Sequence, residues 1–419
     1  MRHPTDPAMR LKRLLGNLLI VLVSTVLSLG LVLGAGELYL RKRVQGADTR
    51  SFPWMTFHPE RGWALVPGEY HHFDFNESLE SHVSINDLGT RNPPLTLAVP
   101  PGKKRVSVIG DSFVFAAALN EDQTLVGQLR RLLGEGYEVA NLGVESYGNG
   151  QEALLLEDLS ARGFGVGESL VLVFFSNDLM DNGGLEMGVG RSKGRPAFSV
   201  DSTGVLRHSA PERPEYEPWR RKLADRSIFL VYLKSRFTNI VTANPWMLDL
   251  AGRLGYRAKL PRTPGVVEGF YGAGWQDRWN TTRDILAYVS RLSRDRLGAR
   301  LHIAYMPSPF QVLGALQQVA RRQSGADSSY SAFLADMDRP QRLLGELCAR
   351  EGLPFIDPTA ALRETARRET PYFLYEAHLN PVGSAVFAEA LRGGLAAAAS
   401  AGPPAPAATP APTATPASQ

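Results

Sequence analysis

The chain has 419 residues, enough for one full-sized core with appendages, and its 44% hydrophobic and 21% charged residues match an ordinary globular protein. Its formal charge of +4 gathers beside one apolar segment, at Arg10, Lys12, Arg13 and at Arg41, Lys42, Arg43. No basic stripe interleaved with aromatics is present, which argues against nucleic acid as a partner. The single cysteine, Cys348, excludes an intramolecular disulfide and any multi-cysteine metal site, and its apolar periodic surroundings suit a buried thiol better than a nucleophile.

In chain order, residues 1–13 read as a short cytoplasmic end and Leu14–Ala35 as a charge-free apolar run. At ~1.5 Å per residue such a run spans a ~30 Å hydrocarbon core. A cleaved signal peptide is the rival reading, because Leu33-Gly34-Ala35-Gly36 offers small residues. The basic residues ahead of the run place the amino end in the cytoplasm and the rest outside, on the periplasmic side of an inner membrane. Residues 36–100 read as a stalk followed by short strands. From 101 to 395 short apolar runs (Val106–Ile109, Val139–Leu142, Leu170–Phe175, Leu301–Tyr305, Pro354–Ile356) alternate with helical patterns. That alternation predicts an α/β fold: a doubly wound, flavodoxin-like, mostly parallel five-stranded sheet in a three-layer α/β/α sandwich. Residues 183–262 break the pattern as an insertion or lid, and 396–419 read as a disordered Ala/Pro-rich tail.

Four segments carry chemistry. Val106–Ile109 runs into Gly110-Asp111-Ser112, placing a serine on a tight turn at the carboxyl edge of the sheet. There it serves as a nucleophile whose own N–H lies near a developing oxyanion, or as part of a simple capped turn. Asn141-Leu142-Gly143, followed by Gly148 and Gly150, reads as a strand-to-helix loop whose backbone passes close to something. Asn177 ends the third strand, where its amide can donate to the same oxyanion or form an Asn-Asp turn. Finally, His378 precedes Asn380-Pro381, an N-cap and first position of a helix, with Glu376 two residues earlier. A histidine there can take the serine proton while the carboxylate holds its tautomer. His71, His72 and His82 do not make a convincing metal set, and no cofactor is expected.

These blocks, in this order, resemble the SGNH/GDSL hydrolase family over about residues 101–395. The likeness is nearest to bacterial envelope members with an amino-terminal anchor and an Asn-x-x-Gly-x-Arg segment, here Asn86-Asp87-Leu88-Gly89-Thr90-Arg91. The resemblance implies a serine esterase with Ser112 as nucleophile, His378 as general base and Glu376 as its support. It places the oxyanion between the Ser112 N–H, the Ser146 N–H and the Asn177 amide, Ser146 standing where the family has glycine. It also implies an acylated glycan or small ester as substrate and an association with envelope polysaccharide machinery. An O-acetyltransferase of the same fold, or an idle glycan-binding or scaffold subunit, are the alternatives.

Overall fold

The structure, a computed structural model, describes residues 7–44, 53–75, 77–186, 190–191, 194–213, 227–243, 247, 265–325, 328–373 and 377–401. Five strands form its central sheet: β5 (Lys104–Gly110), β6 (Tyr137–Asn141), β7 (Ser169–Phe175), β12 (Arg300–Met306) and β13 (Phe355–Ile356). They are ordered β13-β12-β7-β5-β6 and every neighbouring pair is parallel. Counting only these five, the order is the 2-1-3-4-5 of doubly wound sheets, with its switch point between β5 and β7.

Alternation along each strand feeds two cores. Val106 and Val108, Val171 and Val173, and Ala304 and Met306 face one side. Ile109, then Leu170, Leu172 and Phe174, then Leu301, Ile303 and Tyr305, face the other. The principal helices are α1 (Pro7–Arg43), α2 (Ser112–Phe115), α3 (Leu125–Leu133), α4 (Asn149–Ala161), α5 (Asp178–Asn182), α6 (Ile228–Ala243), α7 (Gly265–Tyr271), α8 (Trp275–Asp295), α9 (Arg339–Glu351) and α10 (Pro381–Ser400). α3 and α10 cover the first face through Leu125, Leu129, Phe387 and Leu391, whereas α4, α8 and α9 cover the second through Leu156, Leu159, Ile285, Val289 and Leu344. Because both faces are buried, the strands are apolar on both sides. Cys348 is among the buried residues of α9, and burial pushes its thiol up to about 12.

Two antiparallel hairpins precede the sheet: β1 (Met55–His58) with β2 (Gly62–Leu65), and β3 (Gly68–Asp74) with β4 (Leu79–Ile85). They lock onto the sheet domain through fully buried Trp54, whose indole donates to Glu145 at 2.9 Å. Two departures from the sequence reading concern boundaries. α1 outruns the expected 14–35 at both ends, so residues 36–43 are helix rather than stalk. The helix at the other end continues past 395 to Ser400, because alanine is the best helix former and Ala398 is buried with its carbonyl held by Arg300 at 2.6 Å. The segment between β7 and β12 contains structure of its own: hairpins β8 (Leu185–Glu186) with β9 (Gly190–Arg191) and β10 (Phe198–Val200) with β11 (Leu206–His208), and then α6 to α8. Residues 402–419 lie outside the described residues.

Candidate active site

The turn after β5 is built from its own residues. The Asp111 carboxylate caps α2 by accepting the Phe113 N–H at 2.9 Å, so Ser112 opens the helix. A Cβ on Gly110 would lie 2.5 Å from Val114 and 3.1 Å from the Val173 carbonyl, so only glycine lets α2 fold back over β7. One turn later Ala116 takes a left-handed conformation (φ 57°) and its N–H returns to the Ser112 carbonyl at 2.7 Å.

His378 arrives from 266 residues away and lies 2.7 Å from Ser112, Nε2 to Oγ. Its position follows from the start of α10. The Asn380 side chain accepts the Gly383 N–H at 3.0 Å, Pro381 stands at the first helical position, and the Asn380 N–H reaches the Pro371 carbonyl at 3.1 Å. The His378 carbonyl accepts the Phe373 N–H at 2.8 Å beside a Tyr372–Leu379 bridge, and the Tyr372 hydroxyl is tied to the Pro307 carbonyl. Phe113 packs on the imidazole with ring centroids 4.6 Å apart. Glu376, the expected support of His378, lies outside the described residues.

Ser146 lies on the loop after β6, at the same edge. That loop touches the serine turn directly: Val144 N–H donates to the Gly110 carbonyl at 3.0 Å, and a Cβ on Gly143 would lie 2.5 Å from the Phe115 nitrogen. Ser146 adopts φ 61°, a conformation that favours glycine. Among the described residues, neither the Ser112 nor the Ser146 backbone N–H donates a hydrogen bond. Asn177 follows β7 on the other flank of β5. Its amide donates to Asp181 at 3.0 Å and lies beside Asp111, so one of its N–H groups is already committed.

Several residues at this edge were not expected. The fully buried Arg91 guanidinium donates to the carbonyls of Phe115, Ala116 and Leu119, holding the backbone that leaves the serine turn. Burial pushes it down to about 10. Next to it, the Asn92 side chain donates to the Asn141 carbonyl at 2.7 Å and accepts its N–H at 2.8 Å, acting as one more residue paired to β6. The Asn141 amide in turn donates to the Val114 carbonyl at 2.9 Å. Arg195, from the segment after β7, ion-pairs with Asp181 at 3.1 Å, donates to the Ser146 carbonyl and lies over the Trp63 ring. The Asn86–Arg91 segment was a usable signal for Arg91; nothing in the sequence singled out Arg195.

Below the site lies a buried acidic group: Asp111, Glu152, Asp178 and Asp181. Asn149 bridges Asp178 (3.0 Å) and Glu152 (3.2 Å). Burial pushes Glu152 up to about 8 and, with the neighbouring carboxylates, raises Asp178 well above the usual carboxylate range. Asp111 is also raised by burial, opposed by the Phe113 N–H it accepts, by the proximity of His378 and by the Asn177 amide beside it. Among the described residues no His, Cys, Asp and Glu group is arranged to hold a metal ion.

Fold and site together define a class: a three-layer, doubly wound α/β protein with a serine–histidine pair at the carboxyl edge of its sheet, the arrangement that the likeness to SGNH/GDSL hydrolases implied. No protein-family model matches the chain and no curated protein matches it significantly. Among solved structures it is similar to TesA (TM-score 0.35, 12% identity, 70% of this chain and 98% of that one). It is also similar to a catalytic mutant of Axe2, an acetylxylan esterase from Geobacillus stearothermophilus (0.33, 12%, 71% and 96%). A third is a lipolytic G-D-S-L family member from Veillonella parvula (0.34, 10%, 69% and 96%). The serine–histidine pair stands on its own geometry.

Proposed function

We propose that the chain is a serine esterase that removes short O-acyl groups, with acetylated glycans of the cell envelope as the substrate class. The observation that carries this reading is the 2.7 Å contact between Ser112 Oγ and His378 Nε2 at the sheet edge. His378 takes the Ser112 proton as Oγ attacks the ester carbonyl. The oxyanion is received by the Ser112 and Ser146 N–H groups, with the second Asn177 N–H as a third donor. As the tetrahedral intermediate collapses, His378 returns the proton to the leaving alcohol, and the acyl group remains on Ser112. His378 then deprotonates water as it attacks the acyl carbonyl, and gives that proton to Ser112 Oγ as the second tetrahedral intermediate collapses and the acid leaves. Glu376 remains our proposed support for the imidazolium.

A preference for short acyl groups is supported by the cavity beside His378. It measures about 10 Å³, about one water-sized sphere, and is lined by Ala116, Ala117, Leu119, Glu145, Phe373 and Leu379, which leaves no space there for a long acyl chain. The test is a chain-length series. Detergent-solubilised protein should cleave p-nitrophenyl acetate far faster than the octanoate, release acetate from acetylated glycans, and take a fluorophosphonate label on Ser112. No label at Ser112, or no ester cleavage at all, returns the idle-subunit reading.

Among the described residues one helix is long and apolar enough to cross a membrane, over Leu14–Arg43. We read it as an uncleaved anchor with the catalytic domain outside the cytoplasm. Continuity of α1 through Leu33–Gly36 and burial of Leu40 and Val44 against the domain support that reading. A phosphatase reporter fused after residue 44 should be active in a bacterial host; activity only from a cytoplasm-specific reporter would overturn it.

A further inference from the structure

Outside the catalytic edge, the described residues include an apolar stripe whose placement points to a partner. α6 is apolar on two opposite faces. At 100° per residue, Ile228, Val231 and Tyr232 fall on one side, where they pack against Val44, Phe73 and Phe75. Leu230, Leu233, Phe237 and Ile240, spaced three, four and three residues apart, fall on the other and are 43%, 41%, 52% and 52% exposed. Such a stripe costs hydration energy unless something covers it.

What covers it follows from where α6 begins. The Glu37 carboxylate of α1 caps the first turn, accepting Ser227 Oγ at 2.8 Å, the Phe229 N–H at 3.0 Å and the Ile228 N–H at 3.3 Å. A Cβ on Gly36 would lie 2.6 Å from the Phe229 ring, so the two helices meet at that glycine. Glu37 is the first charged residue after the apolar run of α1, and its neighbours Leu38 and Tyr39 are 72% and 67% exposed. The stripe therefore starts at the level where α1 leaves the hydrocarbon. Lys234, exposed on the flank of the stripe, adds a positive charge suited to anionic headgroups.

We propose that α6 is an interfacial helix: Leu230, Leu233, Phe237 and Ile240 dock into the headgroup and upper acyl region of the bilayer that α1 crosses. The proposal rests on the anchor reading above. Two attachment lines, α1 and α6, would limit rotation of the catalytic domain over the surface, which a single helical tether does not do.

The test uses the full chain with Cys348 replaced by Ala, reconstituted into vesicles of phosphatidylcholine and phosphatidylglycerol. An environment-sensitive fluorophore is attached to a single new cysteine at Leu233→Cys or Phe237→Cys, at Leu22→Cys within α1, and at Thr203→Cys as an exposed control. Doxyl-labelled lipid is the quencher. Burial to a depth of ~5–10 Å predicts a blue shift and a loss of about half or more of the emission at 233 and 237 as well as at 22, with none at 203. Quenching at 22 without quenching at 233 and 237 overturns the docking and leaves the anchor standing. A blue shift at 237 that lipid quenchers do not touch also overturns it, since the stripe is then covered by protein. No quenching at 22 removes the anchor and the docking together.

Discussion

At Ser146 the backbone stands in the left-handed region, which costs a non-glycine residue roughly 1–2 kcal/mol. Ser146→Gly should therefore keep the oxyanion donor and leave esterase turnover within a few-fold of the parent. The relieved strain is partly offset by the greater freedom of glycine in the unfolded chain, so the net gain in stability should be at most about 1 kcal/mol. A β-branched residue such as valine should lower both, and thermal melts with p-nitrophenyl acetate kinetics check the pair. Asn177 is a different case, because its amide also stands between carboxylates. Asn177→Ala should cut kcat about 10²–10³-fold, and Asn177→Asp should cut it further by adding a carboxylate beside Asp111 and Asp181. Glu152 bears on pH. Its folded-state value of about 8 lies above the ordinary 4.5, so between those values the folded protein holds a proton the unfolded chain has lost. Its contribution is fully present below about 4.5, is lost as pH rises toward 8, and changes no further above that. Glu152→Gln should flatten this decline and raise the melting temperature at pH 8, by roughly 2–4 °C for each kcal/mol recovered; an unchanged pH profile would contradict the buried, protonated carboxyl.

Among the helices named above, α2 is the shortest and the most heavily braced. Four residues cannot hold a helix by propensity, so its geometry depends on Asp111 at one end and Arg91 at the other. Arg91→Met should leave three buried carbonyls short of a donor, destabilise the protein by about 3 kcal/mol or more, and lower kcat more than it raises KM. Arg91→Lys should recover only part, since an ammonium cannot span three carbonyls as the guanidinium does. This bracing also explains what the sequence conveyed. Ser112 and His378 were legible because local signals placed each one: a strand running into Gly-Asp-Ser, and Asn-Pro opening a helix. The five strands were legible because each is apolar on both faces. Arg195 and the acids below the site were not, since charged residues in a one-dimensional pattern read as solvated, and only tertiary packing brings Arg195 to Ser146 and Asp181. The limits of α1 and α10 were misjudged because a run of apolar or small residues marks where burial stops, whereas helical hydrogen bonding continues until the chain is released. For Glu376 the sequence pattern is all there is.

At the scale of the whole molecule, the sheet brings the ends of β5, β6 and β7 together and the carboxy-terminal part of the chain delivers the histidine, so the serine–histidine pair requires both parts of the chain. The central claim is that Ser112 and His378 work as nucleophile and base. Its most direct test is the turnover of p-nitrophenyl acetate by the solubilised full chain, parent against Ser112→Ala, with folding of both verified by thermal melts. The variant should fold with a similar melting temperature and lose on the order of 10⁶-fold in kcat, as removal of an activated serine does. A folded Ser112→Ala protein turning over ester at the parent's rate would contradict the claim.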